Sequence, residues 1–309
     1  MTLPTADDVA RAHERIAASI RRTPVVELAA GAFGLPAALA VKLESLQHSG
    51  TFKGRGAFNK LMVSPPGPAG VVAASGGNHG AAIAFAARAL GHRAEIFVPT
   101  TSSPAKVERL RAYGATVHQI GDVYMEARAA SEARARETGA TIASAYDDPD
   151  VFCGAGTTAR EFEAQAAFDT LLVAVGGGGL IAGCALWCGG RKRIVAVETE
   201  GTPTLHAALA AGRPVDVEVG GLAADALGAT RIGAPNFEIV GGVVRDSVLV
   251  SDDDVRAAQR ALWSELRVMA EPAGAAGLAA LLSGAYRPAP DERVGVIVCG
   301  ANVDPASIG

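Results

Sequence analysis

Lys53 opens the chemical reading of this chain. It stands in Ser49-Gly50-Thr51-Phe52-Lys53-Gly54-Arg55-Gly56-Ala57, within the first turn of an expected helix. The positive end of the helix dipole and neighbouring Arg55 disfavour an ammonium there. A lysine with a lowered pKa is suited to forming a Schiff base; the plainer alternative is a surface charge. A second stretch, Ala74-Ser75-Gly76-Gly77-Asn78-His79-Gly80, turns a strand end into a helix. Free N–H groups at such a turn cradle a carboxylate or phosphate. Asn78 can also be read as no more than a helix N-cap. No nucleophile pairs with His79, which excludes a Ser–His–Asp hydrolase.

The third stretch, Val175-Gly176-Gly177-Gly178-Gly179-Leu180, lets the backbone wrap an anion at a helix N-terminus. Gly177-x-Gly179-x-x-Ala182 also fits a dinucleotide fingerprint, with Glu198 about 20 residues on as the ribose acid. That keeps a nicotinamide-binding oxidoreductase open on the residues alone. The fourth stretch, Val298-Cys299-Gly300-Ala301-Asn302, ends a C-terminal strand with a small polar side chain placed to face a ligand, or with a buried inert cysteine. Zinc is not expected, because Cys184 and Cys188 lie in a glycine-broken apolar segment with no second ligand pair.

The elements that position these stretches follow from apolar runs of four to six residues with helical patterns between them, the signature of an α/β chain around mostly parallel sheets. Strands are expected at 38–43, 71–74, 94–98, 116–120, 141–143, 171–175, 194–197, 247–250 and 294–298. Amphipathic helices are expected at 6–19, 53–62, 80–90, 104–113, 123–138, 157–167 and 252–268. Residues 66–145 repeat a strand–helix unit three times and close with a strand, which predicts a small α/β domain. Its expected limits are the loops Pro65-Pro66-Gly67-Pro68 and Tyr146-Asp147-Asp148-Pro149. Residues 1–65 and 146–309 then make a larger, discontinuous domain.

Composition narrows the class. The 309 residues are 49% hydrophobic and 19% charged with a formal charge of −4, so no basic footprint for nucleic acid is present. Acidic residues in Met1-Thr2-Leu3-Pro4-Thr5-Ala6-Asp7-Asp8 argue against an export signal. The four cysteines are too few for a disulfide scaffold, so a reduced, cytoplasmic protein is expected. The uncharged run 170–190 has the length of a membrane span, but its glycines favour a strand, a loop and a helix start.

Taken in order, the four stretches resemble those of the fold-type II pyridoxal-phosphate enzymes, the tryptophan synthase β-like group, and most closely its serine/threonine dehydratase and serine racemase branch. Thr51-Phe52-Lys53-Gly54-Arg55-Gly56-Ala57 is similar to that branch's lysine motif, 75–79 to its Ser-x-Gly-Asn-His, and 176–180 to its tetraglycine loop. Glu271-Pro272-Ala273-Gly274-Ala275 and Cys299-Gly300-Ala301-Asn302 agree as well. The resemblance implies two open, twisted α/β lobes with pyridoxal 5'-phosphate between them. It implies that Lys53 holds the cofactor as a Schiff base and serves as base at the substrate Cα, and that Phe52 packs on the ring. Asn78 would bind the phenolic oxygen, and Gly176, Gly177, Gly178, Gly179 and Leu180 the phosphate. Cys299 would face the pyridine nitrogen with Glu271 nearby, and Ser75, Gly76, Gly77, Asn78 and His79 would hold the substrate carboxylate. The implied partner is a small amino acid; a homodimer is the family's habit.

The implied reaction is dehydration and deamination of a small β-hydroxy amino acid such as L-threonine or L-serine. Gly76 stands where the racemase pattern has a serine, which disfavours racemization, and His79 stands where β-replacement synthases have threonine. The family's cation site has an acid six residues after the strand-end glutamate; Thr204 follows Glu198 here, so no metal is expected. With the chain ending at Gly309, feedback by isoleucine through a regulatory domain is not expected.

Overall fold

Runs rich in valine, isoleucine and alanine become the interior strands, because a parallel strand covered on both faces needs apolar side chains on both. The computed structural model describes residues 3–244 and 246–308. Among the described residues, ten strands form two sheets. Strands β1 (Val25–Leu28), β2 (Leu39–Leu43), β7 (Thr170–Ala174), β8 (Arg193–Thr199), β9 (Asp246–Val250) and β10 (Val294–Val298) make the larger, in the order β1-β2-β10-β7-β8-β9. Strands β3 (Val71–Ala74), β4 (Ala94–Val98), β5 (Thr116–Gln119) and β6 (Thr141–Ile142) make the smaller, in the order β5-β4-β3-β6. Every pairing is parallel except β1 with β2. Strands β2, β4, β7 and β10 are buried along their whole length, whereas the edge strands β1 and β5 are mostly half-exposed.

Among the described residues, twelve α-helices cover the sheets. Helices α1 (Ala6–Ile16), α2 (Lys53–Val63), α3 (Asn78–Ala89), α4 (Pro104–Ala112), α5 (Tyr124–Thr138) and α6 (Pro149–Glu163) precede β7. Helices α7 (Gly179–Cys188), α8 (Thr204–Ala211), α9 (Ala224–Leu227), α10 (Ala234–Gly241), α11 (Asp252–Leu266) and α12 (Pro272–Leu282) follow it. The uncharged run 170–190 is therefore β7, a glycine loop and α7, and no helix among the described residues is long and apolar enough to cross a membrane.

Three expectations change. Strand β1 was not anticipated: it is a four-residue edge strand with an exposed acid, too short to stand out as an apolar run. The helix expected at 157–167 instead spans Pro149–Glu163. Asp148 accepts a hydrogen bond from the N–H of Asp150, so the Asp-Pro pair read as a turn is an N-cap followed by proline in the first helical turn. Finally, cutting the chain at 65/66 and 145/146 separates the two sheets but not their cores. Ile16 of α1 and Ala57, Phe58 and Leu61 of α2 pack in one cluster with Val71, Ile83 and Ile96 of the smaller unit.

Helix α2 is held from behind by charge. A close crossing of α2 on α6 is possible because Gly56 and Gly154 meet; a Cβ on Gly154 would lie 2.7 Å from the Cα of Gly56. The crossing encloses Arg55, whose guanidinium donates to Glu44 (2.7 Å through Nε) and to Glu161 (2.9 Å through Nη2). Lys42 Nζ reaches the same Glu161 at 2.6 Å, giving two cations and two carboxylates, all buried. Arg55 therefore does not act on Lys53, contrary to the expectation from their proximity in sequence. Two residues along a helix turn a side chain through about 200°, to the opposite face.

Candidate active site

Open α/β sheets bind ligands beyond the carboxyl ends of their strands, where the strand order reverses. Both sheets have such a point. Strand β7 lies between β10 and β8, and its ladder with β10 covers only 294–296, so the two strands part toward their carboxyl ends. Strand β3 pairs with β6 at only Val71 and Val72. The segments leaving these strands are 176–179 after β7, Cys299 after β10 and 75–77 after β3. The first two line a single cleft, and the third reaches it through Asn78, the residue that follows Gly77.

Lys53 reaches the cleft because the segment before α2 is stitched to the segment after β10. The N–H of Phe52 and the hydroxyl of Thr51 both donate to the Cys299 carbonyl (3.0 and 3.2 Å), and the N–H of Ala301 donates to the Gly50 carbonyl at 2.9 Å. The cleft is lined by Phe52, Lys53, Asn78, Gly176, Gly177, Gly178, Gly179, Leu180, Glu271 and Cys299, every residue for which the family resemblance implies cofactor contact. Ser75, Gly76 and Gly77 form the loop entering α3, with the Ser75 hydroxyl accepting from the N–H of Gly77 at 3.3 Å. Asn78 is not the N-cap of α3: the helix begins at Asn78 itself, after Gly77, without a side-chain cap bond.

The amide of Asn78 is clamped on both sides. Its Nδ2 donates to Glu271 (2.6 Å), and its Oδ1 accepts from Asn302 Nδ2 (2.6 Å). Asn302 is anchored through the Ser49 carbonyl at 2.9 Å, and its own N–H donates to Glu271 at 3.1 Å. The orientation of the Asn78 carboxamide is thereby set, and one Nδ2 hydrogen is left for a ligand in the cleft. Burial raises Glu271 to about 7, against the pull of Asn78, Asn302, Arg109 and Lys53. Asn302→Ala removes the clamp, and kcat/KM is expected to fall about tenfold, the worth of one hydrogen bond of about 1.4 kcal/mol. Steady-state kinetics with a urea melt checks this; an unchanged kcat/KM would show the clamp to be idle.

Electrostatics divides the groups by role. Desolvation lowers Lys53 from 10.5 to about 8, with Cys299 and Glu271 opposing, and its amine donates to the Ala145 carbonyl at 2.8 Å. Burial pushes the Cys299 thiol well up, so it stays neutral. Burial and Lys53 bring His79 down to about 4, and its Nε2 lies 3.0 Å from the Ala143 carbonyl. Neutral at pH 7 and buried, His79 ties α3 to the end of β6. An amine must be uncharged to attack an aldehyde, so loading of the apoprotein with pyridoxal phosphate is expected to accelerate as pH rises and to level off above about 8. Stopped-flow absorbance across pH 6–11 measures it; a midpoint near the ordinary 10.5 would contradict the desolvated site.

Sequence reasoning missed Tyr146, Ala226, Leu227, Ala273 and Asn302. The ring of Tyr146 lies over Gly177, where a Cβ would come within 2.3 Å of it. Leu227 backs Gly176, with its Cα 3.0 Å from where a Cβ would stand. Only Asn302 and Ala273 carried a signal, since they belong to the motifs around Cys299 and Glu271. Glu198 gives no support to the dinucleotide reading. It is fully buried, it accepts from the N–H groups of Leu205 and His206 (2.7 Å each) and from the Ser247 hydroxyl, and its Oε1 lies 3.0 Å from the Thr204 hydroxyl oxygen, which encloses it away from any ribose.

An amine of lowered pKa, a glycine cradle at a helix N-terminus, an aromatic wall and a neutral thiol fit an aromatic aldehyde bearing a phosphate. Such a cleft at the switch points of two open sheets defines a fold-type II pyridoxal-phosphate enzyme. The family model "Pyridoxal-phosphate dependent enzyme" matches residues 16–300, and the chain belongs to that family. It is 36% identical to the L-threo-3-hydroxyaspartate ammonia-lyase of a Pseudomonas species, across 98% of this chain and 97% of that protein. It is also 36% identical to the L-threonine ammonia-lyase of Geobacter sulfurreducens, across 97% and 76%. Its fold is similar to that of maize serine racemase, with a TM-score of 0.92, 31% identity and coverage of 99% and 96%. Pyridoxal phosphate is its cofactor, and when bound supplies an electron sink for the pair left as a substrate's Cα proton departs.

Proposed function

We propose that the protein removes water and then ammonia from a small 3-hydroxy amino acid, L-threonine or L-serine, leaving a 2-oxo acid. Two bonds break in the elimination, Cα–H and Cβ–O, and hydrolysis of the resulting enamine returns the water and frees the ammonia. The observation that carries the reading is the Cys299 thiol at the cleft, buried and kept neutral. A neutral thiol is a poor proton donor to a pyridine nitrogen. The electron sink is then weaker than with a carboxylate partner, which favours prompt departure of the β-hydroxyl over other fates of the carbanion. The ammonia-lyase relatives support the same reaction class.

In this reading Lys53 holds the cofactor covalently and moves the proton at Cα. Phe52 packs on its ring, Asn78 binds its phenolic oxygen, and Gly176, Gly177, Gly178, Gly179 and Leu180 hold its phosphate. The backbone from Ser75 through His79 holds the substrate carboxylate. The test is to mix the protein and pyridoxal phosphate with L-threonine, L-serine and L-threo-3-hydroxyaspartate in turn, and to quantify ammonia and 2-oxo acid. Equal yields of the two from L-threonine or L-serine are expected. Amine retained in a sulfide adduct would replace the reading with β-replacement, and D-serine without ammonia would replace it with racemization.

A further inference from the structure

Thr204 and Asn236 lie behind the tetraglycine loop, fully buried and outside the wall of the cleft. Each holds one of its carbonyls. Thr204 Oγ1 is 2.7 Å from the Gly176 carbonyl oxygen. The Gly177 carbonyl accepts from Asn236 Nδ2 at 2.8 Å and from the N–H of Gly233 at 3.1 Å. The Gly178 carbonyl accepts from Ala182 in the first turn of α7 at 2.9 Å. Across a trans peptide the C=O and the following N–H point in opposite directions. Three carbonyls drawn back therefore turn the N–H groups of Gly177, Gly178 and Gly179 the other way, and among the described residues none of the three meets a protein acceptor. The turn at Gly178 requires φ of +92°, open to glycine and strained for other residues.

The donors can be assigned by counting hydrogens. Asn236 Nδ2 also donates to the Tyr146 carbonyl at 2.9 Å, which uses both amide hydrogens; the opposite orientation would set Oδ1 against two carbonyls. Thr204 has one hydroxyl hydrogen, and Glu198 Oε1 stands 3.0 Å from the same oxygen. With that hydrogen given to Gly176, a protonated Glu198 carboxyl supplies the second bond, and burial raises Glu198 to about 7.

We propose that Thr204 and Asn236 are positioning residues for the phosphate cradle: by holding the carbonyls of Gly176 and Gly177 away from the cleft, they keep the N–H groups of Gly177 and Gly178 aimed at the cofactor phosphate. The proposal rests on the reading that 176–180 binds that phosphate. It makes the two residues, neither of which touches the cofactor, determinants of the preference for pyridoxal phosphate over unphosphorylated pyridoxal. Both compounds carry the aldehyde that Lys53 attacks, so only the phosphate separates them.

The test is a pair of dissociation constants, for pyridoxal phosphate and for pyridoxal, measured by tryptophan fluorescence on the apoprotein and on Thr204→Val, Thr204→Ser and Asn236→Ala. Thr204→Val is expected to weaken pyridoxal phosphate about tenfold and leave pyridoxal within about twofold, with Thr204→Ser restoring the parent preference. Asn236→Ala, acting on the next peptide, is expected to give the same selective loss. Parent preference retained at both positions, or equal losses for both compounds at both, overturns the proposal. A parent that binds the two compounds equally overturns the reading of 176–180 itself, and the proposal falls with it.

Discussion

Lys53→Ala protein mixed with pyridoxal phosphate and treated with borohydride will carry no mass increment on the peptide around residue 53, while the parent will. Its turnover of a 3-hydroxy amino acid will fall by about 10⁴-fold or more, since a positioned base and a covalent tether are lost together. The expectation has a physical root. Lowering the amine from 10.5 to about 8 raises its uncharged fraction at pH 7 about 300-fold over an ordinary lysine. None of the other four lysines lines the cleft: Lys42 is paired with Glu161, Lys60 with Asp148 and Lys106 with Asp225, and Lys192 donates to the Phe168 carbonyl. A Lys53→Ala protein that keeps a tenth of parent turnover would remove Lys53 from the reaction and the proposed chemistry with it.

The largest effect on stability is expected from Arg55→Ala. This leaves Glu44 and Glu161 buried with only Lys42 against them, and breaking a buried ion pair by removing one partner costs about 3–5 kcal/mol. Urea denaturation of parent and variant measures it, and a loss below about 1 kcal/mol would show that water enters the site and relieves the charges. The network also predicts an acid weakness. Burial raises Glu161, but Arg55 and Lys42 outweigh it and hold the carboxyl below its ordinary 4.5. A carboxyl depressed in the folded state contributes its full stability above the unfolded pKa and loses it as pH falls through the folded one. Stability should therefore drop below about pH 4.5, and Glu161→Gln should blunt that drop.

The sequence by itself determined the local grammar of this protein. Strands β3 and β10 begin and end where their apolar runs do, because a strand buried on both faces writes itself as a run of small and branched apolar residues. Lysine at a helix start, glycines after strands and a cysteine at a strand end were legible for a similar reason: each is a local backbone requirement met within a few residues. Only the tertiary structure decided which distant groups share a space. Asn302 clamps Asn78 across 224 residues, Asn236 reaches the carbonyl of Gly177 across 59, and Tyr146 covers a glycine 31 positions away. These contacts follow from strand order and from where neighbouring strands part, neither of which leaves a periodic mark in the chain. Arg55 shows the limit most plainly. Two residues from Lys53 in sequence, it belongs to a separate electrostatic site, because a helix sends them to opposite faces and α6 supplies its partner.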